Sequence, residues 1–223
     1  ASATSIGKLH FRNETDNTGF EKQVIPMHVV EGKGDARSCI KRPMTPPMTQ
    51  SKTMTDIGAG QTSYQHYDNK IADNACEGRR VKAADPNTDP FCAIVSFVCP
   101  HPPYKAPQKF YDFYNKIDMP IPKLRDPDSE YHPWIKLSQS MRNYDDFVTD
   151  ETLPMLMKSY YGCISYLDMN IGRVISTLEE TGLRDNTIII YTSDHGENLG
   201  TRRLWQKSNM YEEASFIPMI LSG

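Results

Sequence analysis

The sequence lacks long apolar runs and has no strong excess of charge of either sign. Its 223 residues carry 25 Lys and Arg against 28 Asp and Glu, which gives a formal net charge of −3 at pH 7. No stretch approaches the roughly 20 apolar residues that a membrane-spanning helix requires. Proteins that bind nucleic acid usually carry a basic patch or stripe. We therefore expect neither a membrane span nor a nucleic-acid partner, and the composition leaves the oligomeric state open.

Cysteine is scarce, and its spacing does not suggest a disulfide framework. The five cysteines are Cys39, Cys76, Cys92, Cys99 and Cys163. Their number is odd, no two form a C-x-x-C pair, and Cys92 and Cys99 lie in or next to an apolar run. These features favour reduced thiols over disulfides and place the last two in or near the core. Reduced thiols favour the cytoplasm, although the location remains unknown.

The apolar stretch Thr187–Tyr191 is rich in β-branched residues and predicts a strand that is buried on both faces of a parallel sheet. Asp194 and His195 follow it, and Gly196 allows a sharp turn. In open α/β sheets, ligands bind beyond the carboxyl ends of the strands. A carboxylate next to an imidazole suits a divalent metal ion. The alternative is an Asx-turn with a surface histidine.

A second buried strand is predicted over Phe91–Val98, and it also ends next to a histidine. His101 lies in the run Cys99-Pro-His-Pro-Pro-Tyr104. Because proline fixes φ, these prolines stiffen the loop, and a stiff loop supports a positioned imidazole. The alternative is a surface histidine in a proline-rich turn.

Two further segments offer cations near predicted strand ends. Thr4–Ile6 predicts a short strand, and in an extended chain residues two apart face the same side, so Lys8 and His10 are expected to point into one pocket. Lys207 lies 207 − 194 = 13 residues beyond Asp194 and could return to the same place as a cation for an anionic substrate. Taken singly, each of these residues could equally be solvated.

Helices alternate with these strands along the chain. Apolar spacing predicts a helix over Asp68–Arg80, another over Pro107–Ile117, and a long one over Glu151–Glu180 that stops at Gly182. Strand, helix and strand with short links is typical of an α/β fold with a doubly wound, mostly parallel sheet flanked by helices. Irregular excursions are expected near residues 31–85 and 118–150. Within the first of these ranges, the helix predicted over Asp68–Arg80 is the main periodic segment.

Five motifs occur in one order and are specific together. They are IGKLH at residues 6–10, PHPP at 100–103, the long helical segment at 166–187, SDHG at 193–196 and a lysine at 207, and the stretch YEEASFIP follows them at 211–218. In this order they resemble the sulfatase branch of the alkaline phosphatase superfamily. The histidine of SDHG is similar to that of choline-sulfatase-like and phosphonate-monoesterase-like members. The resemblance implies an alkaline-phosphatase-like fold and a metal-dependent sulfuric ester hydrolase that uses a formylglycine nucleophile.

The resemblance also implies a role for each motif residue. Asp194 and His195 would bind a divalent metal, Ca, Mg or Mn, that polarises the ester. Lys8, His10, His101 and Lys207 would contact the sulfate of a small anionic substrate, and His101 or His10 could protonate the leaving group. The alternatives are a phosphonate monoester or phosphodiester hydrolase with the same pocket, and an inactive domain that kept the fold.

One expected motif is missing, because no cysteine or serine begins the C/S-x-P-S-R sequence whose first residue becomes formylglycine in sulfatases. The paired aspartates of the preceding strand are missing as well. We expect residues 1–223 to be the central part of one sulfatase catalytic domain within a longer polypeptide. A chain of these residues alone should bind metal weakly and show no sulfatase activity, and measured turnover by it would contradict the family mechanism.

Overall fold

A computed structural model describes residues 2–13, 15–33, 55–85, 89–123, 130–142 and 147–223. The strands are β1 (Ser2–Lys8), β2 (Lys22–Met27), β3 (Gly58–Ala59), β4 (Phe91–Ser96), β5 (Lys105–Ala106), β6 (Ile189–Thr192) and β7 (Met219–Ser222). The helices are α1 (Ser63–Ala84), α2 (Gln108–Tyr114), α3 (Pro133–Arg142), α4 (Thr152–Glu180) and α5 (Glu212–Ser215). Short 3₁₀ turns occupy Val30–Gly32, Arg184–Asn186 and Thr201–Arg203.

Chain contacts divide these elements into two compact units. One contains β1, β2, β4, α1 and the part of α4 from Cys163 onward. The other contains β3, β5, β6, β7, α2, α3, α5 and the part of α4 up to Gly162. The expectation of a single domain over residues 1–223 stays a prediction.

The first unit is built on a three-stranded parallel sheet in the order β2-β1-β4. In the central strand, Thr4 pairs with Lys22 on one side and with Ala93 on the other. Ile6 of this strand packs against Ile71 and Ala75 of α1, and all three side chains are buried. Helix α1 therefore covers one face of the sheet, as expected for a mostly parallel α/β fold.

Helix α1 extends beyond its predicted bounds at both ends, and at Ser63 its first turn is capped. The Thr62 side chain accepts a hydrogen bond from the Gln65 backbone N–H, and the Gln65 side chain accepts one from the Thr62 N–H. This reciprocal capping box satisfies two amide groups that the helix would otherwise leave without partners. The side chains of Ile71, Ala75 and Cys76 on this helix are buried.

The long helix agrees with its prediction closely. Helix α4 spans Thr152–Glu180, and Gly182 beyond its end has φ +71°. The Leu183 N–H donates to the Leu178 carbonyl at 2.9 Å, a bond typical of helices that end in a left-handed glycine. None of the helices in the described ranges is both long and apolar enough to cross a bilayer.

Within the described ranges, the second unit has two small sheets and a core around Tyr104, Leu156 and Trp205, which are all buried. Strands β3 and β5 are parallel, whereas β6 and β7 are antiparallel. The predicted placement of the β6 region inside a parallel sheet was therefore wrong.

Two predictions of burial were also wrong. Ile188 and Ile190 are 74% and 57% exposed, although β6 was predicted to be buried on both faces. Cys92 is exposed, whereas Cys99 is buried as predicted. Because side chains alternate along a strand, Cys92 shares a face of β4 with the exposed Ile94, and the described residues leave that face open. An apolar run in the sequence does not show whether a strand is covered on one face or on both.

The cysteines in the described ranges are Cys76, Cys92, Cys99 and Cys163. All four are free thiols, as the sequence predicted, and Cys39 lies outside the described residues.

Gly7 is required where the pairing of β1 with β2 shifts register between Ile6 and Lys8. Its φ is +97°, and a Cβ there would clash with the Ser96 carbonyl oxygen and the Ile71 side chain. We expect Gly7→Ala to lower the free energy of unfolding by about 2–4 kcal/mol, through backbone strain and overpacking. Urea denaturation of the purified protein measures this loss.

Gly78→Ala is the matched control, because Gly78 lies in α1 with open space around it. This change should be neutral or stabilising by up to about 1 kcal/mol, as alanine favours a helix. Equal effects of the two substitutions would contradict the steric argument for Gly7.

Candidate active site

The turn after β6 fixes the chemical state of His195. The His195 Nδ1 atom lies 2.8 Å from the Gly196 carbonyl oxygen, and Lys207 Nζ donates a hydrogen bond to His195 Nε2. A carbonyl only accepts and an ammonium only donates, so Nδ1 carries the hydrogen and Nε2 presents its lone pair. The ring is therefore held as the neutral tautomer in which Nε2 is a base or a ligand.

Asp194 adds an anionic oxygen beside this lone pair. Its Oδ1 atom lies 3.7 Å from His195 Nε2, and its side chain is largely exposed. Two ligand atoms that are each about 2.1 Å from one ion can be no more than about 4.2 Å apart. The pair therefore fits two positions of one metal site. No group of three such ligands occurs among the residues that the structure describes.

The loop between Gly196 and Lys207 folds back on itself and brings Lys207 to the histidine. The backbone N–H and the side-chain amide of Asn198 both donate to the Gln206 carbonyl. The Gly196 N–H donates to the Ala214 carbonyl at 2.9 Å, and a Cβ on this glycine would clash with the Glu213 carbonyl oxygen. The close approach of these backbones closes the base of the loop.

Glu197, which no sequence motif indicated as a site residue, binds backbone groups on the inside of this loop. Its Oε1 atom accepts hydrogen bonds from the backbone N–H groups of Leu199, at 3.0 Å, and Gln206. Burial raises the pKa of Glu197, whereas the hydrogen bonds from Leu199, Tyr104 and Gln206 and the charge of Lys207 oppose that rise. The available clue was an acidic residue at the start of a glycine-containing loop.

The remaining predicted residues, Lys8, His10 and His101, all lie in the first unit. Lys8 ends β1 and is half-buried, whereas His10 is exposed with φ +50°. The extended conformation expected for this segment is wrong at His10, where the chain makes a left-handed turn and the His10 N–H donates to the Met27 carbonyl at 3.1 Å. The premise that placed Lys8 and His10 on one side therefore does not hold, and their joint role stays a prediction.

His101 follows β4 in a short hydrogen-bonded turn. Its N–H donates to the Val98 carbonyl at 3.0 Å, and the Cys99–Pro100 peptide bond between them is cis. The Tyr64 ring of α1 approaches the imidazole edge to face, with ring centres 6.0 Å apart. The imidazole is thus supported by both its own loop and a helix.

The loop hydrogen bonds lead to a test at Glu197. Glu197→Ala removes the acceptor of two loop N–H groups and should lower the free energy of unfolding by about 2–4 kcal/mol. Glu197→Gln keeps an oxygen in the Oε1 position and should cost less than half as much. Chemical denaturation of the two variants beside the unmodified protein measures the difference, and equal losses would show that this acceptor does not order the loop.

Known proteins resemble the chain in sequence and in fold. A choline-sulfatase of Rhizobium meliloti (strain 1021) is 34% identical over 183 residues, which cover 77% of this chain and 35% of the relative. The iduronate 2-sulfatase of Homo sapiens is 32% identical over 146 residues, covering 60% of this chain and 26% of the relative. The crystal structure of a phosphonate monoester hydrolase of Agrobacterium radiobacter superposes with a TM-score of 0.67 at 22% identity, covering 99% of this chain and 50% of that one.

The fold and the family predicted from the motifs are confirmed by these comparisons. The superposition supports the alkaline-phosphatase-like α/β fold. The chain spans about a third or less of the length of these curated relatives. The family model described as Sulfatase matches residues 4–223, and the chain belongs to the sulfatase family.

Proposed function

We propose that the full-length protein is a metal-dependent sulfuric ester hydrolase that cleaves a small, anionic sulfate monoester. The observation that carries the proposal is the contact of Lys207 with the lone-pair nitrogen of His195, beside Asp194, at the end of β6. A chain of the sulfatase family with this arrangement offers both metal ligands and a cation for an anionic substrate. The named sulfatases among its relatives support the same reaction.

Asp194 and His195 bind the metal in this proposal. The Gly196 carbonyl fixes the tautomer of the ring, so Nε2 can act as a ligand without first losing a proton, once the metal replaces the Lys207 hydrogen bond to this nitrogen. The Asp194 carboxylate lies beside this nitrogen and supplies an anionic oxygen for the same ion. A bound Ca, Mg or Mn ion would polarise the ester and stabilise the nucleophile as an anion.

The four cationic or imidazole side chains recognise the sulfate. Lys8 and Lys207 supply fixed positive charge for the equatorial oxygens, whose negative charge grows in the transition state. His10 and His101 are the candidate general acids for the departing alcohol, because an imidazole can donate a proton near neutral pH. The His101 imidazole also meets the ring of Tyr64 edge to face.

The nucleophile in the proposal is a formylglycine outside residues 1–223, since these residues contain no C/S-x-P-S-R sequence. Peptide mass spectrometry of the full-length protein checks this part directly. A formylglycine made from cysteine would leave a C-x-P-S-R peptide about 18 Da lighter than its unmodified form. An unmodified peptide would leave the phosphonate or phosphodiester alternative open, and rates on the two ester classes would then decide.

The proposal predicts how one substitution acts on the reaction. Lys207→Ala in the full-length protein should lower kcat/KM for 4-nitrophenyl sulfate by about 10²–10³, as expected when one group that stabilises transition-state charge is lost. Chelation of divalent metal should abolish turnover, and adding the metal back should restore it. Initial rates of product release measure both effects.

Lys116→Ala serves as the control, because Lys116 is an exposed lysine just beyond α2 and outside the proposed site. Its rate should remain within about twofold of the unmodified enzyme. A Lys207→Ala enzyme that keeps its rate, or an enzyme that cleaves a phenylphosphonate monoester faster than the sulfate, would overturn the proposal.

A further inference from the structure

A fully buried carboxylate holds the backbone just before His101. Asp68 of α1 is 0% exposed. Its Oδ1 atom accepts the Val98 N–H at 2.8 Å, and its Oδ2 atom accepts the Cys99 N–H at 2.9 Å. Each oxygen thus takes one of two successive amide groups, a geometry that fixes both the position and the direction of the loop.

Hydrogen bonds and a nearby positive charge offset the cost of burying the Asp68 carboxylate. Burial raises the pKa of Asp68, and the hydrogen bonds from Val98 and Cys99 and the charge of Lys8 act in the opposite direction. A buried carboxylate is expensive unless such groups surround it. Asp68 therefore contacts the loop that carries His101, and the charge of Lys8 favours its ionised form. It thus interacts with two separate segments that carry candidate site residues.

The same helix also contacts the imidazole. Tyr64 lies one turn before Asp68 on α1, and its ring meets His101 edge to face at an interplanar angle of 81°. This end of the helix is itself fixed, because the Tyr166 hydroxyl donates to the buried Gln65 carbonyl at 2.7 Å. A fixed helix thus supports the loop backbone through Asp68 and the imidazole ring through Tyr64.

We propose that Asp68 is a positioning residue that aims the His101 imidazole at the departing alcohol, with Tyr64 limiting rotation of the ring. The inference rests on the proposed function, in which His101 is a candidate general acid. Helix α1 would then set the geometry of proton donation from beneath the loop, although neither Asp68 nor Tyr64 touches the ester.

The test compares two sulfate esters with the full-length enzyme. Protonation matters for an alkyl sulfate, whose alkoxide is a poor leaving group, and much less for 4-nitrophenyl sulfate. Asp68→Asn keeps the side-chain shape but turns an amide N–H toward one of the two backbone N–H groups. We expect kcat for the alkyl sulfate to fall about 30-fold or more, within the range that general acid catalysis supplies, and kcat for 4-nitrophenyl sulfate to fall less than about threefold.

The ratio of the two rates separates positioning from stability, since loss of folded enzyme lowers both rates equally. Tyr64→Ala should move the ratio in the same direction, and it decides the matter if Asp68→Asn does not fold. Asp73→Asn is the matched control, because Asp73 is an exposed aspartate on the same helix that pairs with Arg173. Both of its rates should stay within about twofold of the unmodified enzyme.

His101→Ala, measured in parallel, distinguishes the two levels of the proposal. If His101→Ala shows the selective loss on the alkyl sulfate and neither Asp68→Asn nor Tyr64→Ala does, the positioning role is wrong and the proposed function stands. If His101→Ala lowers both rates equally, His101 is not the general acid, and the positioning role fails with that assignment. Equal losses on both esters in Asp68→Asn would make Asp68 a purely structural residue.

Discussion

The loops that carry the candidate site residues depend on backbone N–H groups that are bound by carboxylates. In the first unit, Asp68 accepts the N–H groups of two neighbouring loop residues. In the second unit, Glu197 accepts the backbone N–H groups of Leu199 and of Gln206, which lies seven positions further along. A loop cannot satisfy its own amides as a helix or sheet does, and an orphaned buried amide costs about 1–3 kcal/mol. Without these acceptors, two amide groups in each loop would lose their hydrogen-bond partners.

This constraint links stability to the chemistry of the site. A carboxylate that binds amides must remain ionised to bind them well, and burial works against ionisation. In each unit a lysine lies near enough to favour the charged form: Lys8 for Asp68, and Lys207 for Glu197. The same lysines are the proposed sulfate-binding cations. One positive charge would therefore serve the support of a loop and the attraction of the substrate.

The sequence predicted those features that depend on local periodicity or on a motif. The bounds of α4 and its glycine stop were predicted closely, and the order of motifs identified the family. The exposed faces of β4 and β6 could not be predicted from the sequence, because burial depends on elements that are distant in the chain. Asp68 and Glu197 were missed for a related reason: their partners lie 30 and 9 residues away, and an isolated acidic residue in a helix or loop suggests solvent.

Gly196 shows how backbone packing limits the freedom of a site. Its amide is bonded to Ala214, and the Glu213 carbonyl occupies the space that any side chain would need. Its identity is therefore set by sterics, independently of which ester is bound or which metal is used. If the proposed ester hydrolysis holds, directed evolution toward new esters could diversify the loop residues around Gly196, whereas position 196 itself should remain glycine because any side chain would meet the Glu213 carbonyl.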